Sequence, residues 1–84
     1  MSHGQPAFNT VMDTWEVVAR LCQTDGAVGE TVYGVQGRAG DAVWEWPDVS
    51  PDRRRAEELA HRLRQAQPEY CHLEDIVTDF LHEW

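Results

Sequence analysis

Eighty-four residues make one domain with room for a modest core, and a formal charge of −8 argues against direct binding to nucleic acid or to an anionic membrane, since both depend on Lys and Arg. Two cysteines are too few for a disulfide framework, and the opening Met-Ser-His-Gly-Gln-Pro lacks the basic start and apolar run of a secretory leader, so a reducing, cytoplasmic setting is expected. No apolar stretch approaches the roughly 20 residues that cross a bilayer.

Residues 1–13 read as a flexible N-terminal segment and residues 14–84 as a single domain. Within the segment, Ala7–Asp13 is compatible with either a short strand or more tail. Thr14–Cys22 alternates: Trp15, Val17, Ala19 and Leu21 point one way, and Thr14, Glu16, Val18, Arg20 and Cys22 the other, which predicts a half-buried strand. Asp25-Gly26 and Gly29 place a turn or loop over Gln23–Gly29. Glu30–Gly37, rich in Thr, Val and Tyr, predicts a second strand, in which Gly34 marks a bulge or a place where another group needs the space. Gly37-Arg38-Ala39-Gly40-Asp41 is a tight hairpin connection, and Ala42–Trp46 is a third strand ended by Pro47.

Ser50-Pro51-Asp52 predicts a helix start, with Ser50 accepting from the free amides of the first turn, Pro51 at a position that needs no N–H, and Asp52 at the positive end of the dipole. Ala56, Leu59, Ala60, Leu63 and Ala66 then form one apolar stripe, with Arg54–Glu58 and Glu58–Arg62 spaced for pairing across a turn. Pro68 disfavours helical geometry at Gln67 and ends the helix there. Leu73, Ile76, Val77, Phe80, Leu81 and Trp84 form the wider stripe of a closing helix, with Glu69, Glu74 and Asp75 at or before its first turn. The elements add up to an α+β fold, a three-stranded antiparallel meander followed by two C-terminal helices packed on one sheet face.

Charge divides the two helices. Pro51–Gln67 carries five Arg against three acids, formally +2, whereas Pro68–Trp84 carries five acids and no Arg or Lys, formally −5. Two solvated faces with weak mutual attraction account for this. The sharper reading makes the Asp75, Thr78, Asp79 and His82 face of the last helix a docking surface for a basic partner.

Tyr33-Gly34-Val35, Asp48-Val49-Ser50-x-Asp52, and His72-Leu73-x-Asp75-x-Val77-x-Asp79-Phe80-Leu81 resemble a family of small bacterial proteins known only as a domain of unknown function. Its members carry a Tyr-Gly-Ile-like strand, an Ile-Ser-x-Asp helix start and a closing Leu-x-Asp-Val-x-x-Asp-Phe-like segment. The resemblance spans Trp15 to Leu81 and implies a fold, with no established activity; the chain departs from the pattern in lacking lysine and in its Trp44-x-Trp46 strand.

The metal-ligating types on one helical face are Asp75, Asp79 and His82, with Cys71 and His72 upstream, but neither Cys-x-x-Cys nor His-x-x-x-His spacing occurs, so they read as a solvated polar face and no metal site is expected. Cys71 beside His72 is the one nucleophile–base pairing to weigh, and chain neighbours rarely face each other as such a pair must; Cys22 reads as a small buried hydrophobe. Gly37-x-x-Gly40 has no helix start after it and is no phosphate loop. No catalytic residue and no cofactor are therefore expected. Trp44 and Trp46 share one sheet face: turned to the helices they join Trp15 and Phe80 in the core, and turned outward they form an aromatic interface.

These readings point to a small acidic module that contacts another protein, or itself as a homodimer, without catalysis, with Trp44, Trp46, Asp75, Asp79 and His82 as the partner surface. The alternative is an inhibitor whose carboxylates imitate DNA phosphates, although here the acids scatter and arginines interrupt them. A small metal-binding protein or enzyme ranks last.

Overall fold

The computed structural model describes residues 7–22 and 29–83. The elements run β1 (Thr14–Cys22), β2 (Glu30–Ala39), β3 (Ala42–Ser50), α1 (Arg53–Ala66), a 3-10 turn (Tyr70–His72) and α2 (Leu73–His82). The strands form one antiparallel sheet in the order β1-β2-β3, and α1 lies across one of its faces. The fold is α+β, as the strand and helix periods predict. Residues 1–6, the loop residues 23–28 and Trp84 lie outside the described residues, and with them the expected tail, the Asp25-Gly26 turn and the last apolar position of the closing stripe.

The register explains which side is core. Trp15 and Val17 oppose Gly37 and Val35 of β2, which in turn oppose Trp44 and Trp46 of β3, so all of these residues share one face. Onto that face α1 lays Leu59, Ala60 and Leu63, and α2 adds Leu73, Val77 and Phe80 to the same cluster. Ala66, expected in the stripe, is exposed at the end of α1. The opposite sheet face carries Glu16, Arg20, Arg38 and Glu45, which pair in solvent at 3.9 Å (Arg38–Glu16) and 3.3 Å (Arg20–Glu45).

Several boundaries differ from expectation, each for a local reason. Pro47 does not stop β3. Between Tyr33 and Val35 the register on β3 jumps from Ser50 to Trp46, a bulge that takes up Pro47 on an edge strand where its missing N–H costs little. Gly34 stands opposite this bulge, and a Cβ on it would lie 2.6 Å from Pro47 Cα and closer still to the Trp46 carbonyl oxygen. Gly37 is not part of the turn but sits within β2, where a Cβ would lie 2.8 Å from the Trp15 ring and 2.9 Å from Met12 Cγ. The hairpin turn is only Gly40-Asp41; Gly40, at φ +58°, supplies the positive φ that a type II′ turn needs at its first central position.

The α1 cap lies two residues later than expected. Asp52 Oδ1 accepts from the Arg54 amide at 3.0 Å, while Ser50 Oγ accepts from the Asp52 amide and shapes the approach. Gln67 ends the helix in the left-handed conformation, its N–H donating to Leu63 O. The i,i+4 ion pairs that form are Arg53–Glu57 and Glu58–Arg62.

The segment assigned to a flexible N-terminus is docked from residue 7 onward. Val11 bridges Glu69, Thr10 O accepts from Tyr70 N, Phe8 O accepts from Cys71 N, and Asp13 N donates to Arg38 O. Met12, at 4 % exposure, joins the core beside Trp15. The segment lacks a strand's alternation because its bonds reach the connection between the helices and the end of the sheet, which are distant in sequence.

Both close-approach glycines give a stability prediction. Gly37→Ala should lower unfolding free energy by about 1–3 kcal/mol, the usual cost of overpacking. Gly34→Ala should cost more, because the atoms it meets are backbone and cannot rotate away. Urea unfolding followed by tryptophan fluorescence measures both.

Candidate functional site

The sequence singles out residues on two elements, and the structure treats them differently. On α2, the residues Leu73, Val77 and Phe80 are buried, which turns Asp75, Asp79 and His82 outward on the opposite side, exposed along with Glu74 and Thr78. Glu74 and Asp75 sit in the first turn, where the helix dipole favours negative charge. Among the described residues, no arginine or histidine pairs with Glu74, Asp75 or Asp79.

Trp44 and Trp46 lie on the helix-facing side of β3, half-buried against the core. Trp44 meets Trp15 edge to face, with ring centroids 5.8 Å apart and planes at 78°, and lies 6.1 Å from Trp46. The three rings make a ladder across the sheet that starts in the core and ends at the β3 edge. These tryptophans and the α2 acids occupy separate elements, and no hydrogen bond links the two sets among the described residues.

Three arginines of α1 have roles that their spacing did not reveal. Arg64 donates from Nη2 at 2.6 Å and from Nε at 3.2 Å to the Trp15 carbonyl, tying α1 to β1. Arg62 donates to Glu83 at 2.7 Å, joining the two helices. The guanidinium carbons of Arg55 and Arg62 each stand 5.0 Å from the centroid of the Phe80 ring. The hydrogen bond to Glu83 raises the Arg62 pKa, and partial burial lowers that of Arg55, so the two neighbours shift in opposite directions. An arginine run on a helix looks alike at every position in sequence; only the packing separates these three.

The metal-ligating types do not meet where the helical spacing placed them. Instead the 3-10 turn draws one donor atom each from Glu69, Cys71 and His72 to within 4.8 Å of one another, all three residues exposed. Glu69 was not among the sequence candidates; Cys71 and His72 were. The Glu69–His72 contact of 3.9 Å accounts for much of this closeness. A groove between β1 and α1, lined by Glu16, Val17, Glu57, His61 and Arg64 among others, is open and of mixed charge. No titratable side chain is buried among the described residues.

The tryptophan ladder can be tested as core or contact. Trp44→Ala should lower unfolding free energy by about 2 kcal/mol, below the roughly 3–5 kcal/mol of a fully buried tryptophan because the ring is half-buried. A residue serving only as an exposed contact would change stability by no more than about 0.5 kcal/mol. Chemical denaturation of the variant decides between the two.

Compared with known proteins, the chain matches no family model, and no curated protein and no solved structure resembles it at a significant level.

Proposed function

We propose that this chain is a protein-interaction or regulatory module without catalysis, acting in the cytoplasm, and that its contact surface is the acidic face of α2. One observation supports the reading. Glu74, Asp75 and Asp79 are exposed on a helix whose other side is fully committed to the core, and their charge is not neutralised within the described residues. Such a face attracts a basic surface and repels nucleic acid. His82 extends the same face at the helix end.

Catalysis is left out of the proposal because the nearest approach to a nucleophile–base pair, Cys71 and His72, is exposed to solvent. The phosphate-mimic reading ranks second, since Arg20, Arg53 and Arg62 interleave with the carboxylates and pair with Glu45, Glu57 and Glu83. No helix among the described residues is long and apolar enough to cross a membrane.

The test is capture from a host lysate with immobilised wild type and with the double variant Asp75→Asn, Asp79→Asn. The wild type should retain a basic protein that elutes as salt rises from about 0.1 M to about 1 M, where the screening length falls from about 10 Å to about 3 Å. The double variant should lose that protein while its unfolding free energy changes by no more than about 1 kcal/mol. Equal retention by both proteins would sink the proposal.

A further inference from the structure

We infer that two copies of this chain join through the outer edge of β1, antiparallel, about a two-fold axis at Val18, to make one continuous six-stranded sheet. The two edges of the sheet are unlike. β3 is broken by a bulge and holds Pro47, which are devices that keep other strands away. β1 is the opposite edge, nine residues in unbroken register with β2.

The main-chain groups on that edge are placed to pair. The Trp15 carbonyl points outward to Arg64, so by the alternation of an antiparallel strand the N–H and C=O groups of Val17, Ala19 and Leu21 point outward too. Among the described residues, no hydrogen bond from another element reaches them. Arg64 holds the Trp15 carbonyl, which keeps the shared ladder short: Val17 and Ala19 exchange bonds with the partner's Ala19 and Val17.

The side chains select both the partner and the register. With Val18 on the axis, Glu16 stands opposite the partner's Arg20, and Arg20 opposite the partner's Glu16. These side chains are 60 % and 55 % exposed on the open face. Each already touches a charge of opposite sign in its own copy, Arg38 and Glu45, so the signs alternate from one copy into the next. On the other face Leu21, 58 % exposed, comes opposite the partner's Trp15. Sliding the pairing by two residues either way separates Glu16 from Arg20, and a slip of four sets Glu16 against Glu16 or Arg20 against Arg20. A strand with glutamate and arginine equally spaced about its centre is complementary to itself, which is what an isologous contact requires.

Light scattering across a dilution series tests this on the full chain. Wild type should show twice the chain mass at the concentrated end and the chain mass at the dilute end. Arg20→Glu and Glu16→Arg should each weaken association about tenfold or more. The double variant Glu16→Arg, Arg20→Glu should restore it, although the Arg20–Glu45 contact stays lost, so rescue reports pairing between copies. A wild type that is monomeric throughout, a dimer indifferent to both single variants, or a double variant as weak as either would overturn the inference. The contact uses β1 and leaves the α2 acids free, so its failure would leave the α2 proposal standing, and failure of lysate capture would leave the dimer standing.

Discussion

The indole of Trp15 occupies the space that Gly37 leaves by having no side chain, and most of the structure is arranged around that contact. Trp15 touches every layer. Met12 of the N-terminal segment packs beside it, Trp44 of β3 meets it edge to face, and its own carbonyl receives Arg64 from α1. A bulky ring lying against a strand backbone needs a residue without a Cβ opposite it, and α1 must then sit at the height that the ring sets. A small domain has few such contacts, so each one counts for more of its stability.

The charge division between the helices takes on meaning in that frame. The positive face of α1 is turned partly toward α2, where Arg62 reaches Glu83 and, with Arg55, flanks Phe80. The pairs themselves are solvent-exposed and weak, so the apolar stripe of Leu59, Leu63, Val77 and Phe80 holds the helices while the arginines set their alignment. What remains of the negative charge on α2 is exposed on Glu74, Asp75 and Asp79, on the side away from its buried Leu73, Val77 and Phe80.

The sheet has the same directional character. One edge is closed by the bulge that Gly34 permits and by Pro47, and the other is straight and capped at a single point by Arg64. The open face carries the exposed pairs Arg38–Glu16 and Arg20–Glu45 among Val18, Val32 and Val43, which leaves it mixed rather than apolar.

Much of this was legible in the sequence. The alternation of Thr14–Cys22 defines β1 to the residue, and the 3.6-residue period of Leu59, Ala60, Leu63 and of Leu73, Val77, Phe80 defines the core sides of both helices, because apolar periodicity reports local backbone geometry directly. The outward direction of Asp75, Asp79 and His82 follows from the same period. Tertiary structure alone decided the rest. Pro47 continues a strand only because Gly34 lets the bulge pack, Met12 is core only because residues 7–13 find the distant Glu69–Cys71 backbone, and Arg64 differs from Arg54 only through the carbonyl it reaches. Glu69, Cys71 and His72 converge for a similar reason, in a turn whose shape comes from bonds to Thr10 and Phe8. Periodicity is a property of neighbours along the chain, whereas these features depend on groups from 13 to 63 residues apart being brought within hydrogen-bond or van der Waals distance, and only the folded chain does that.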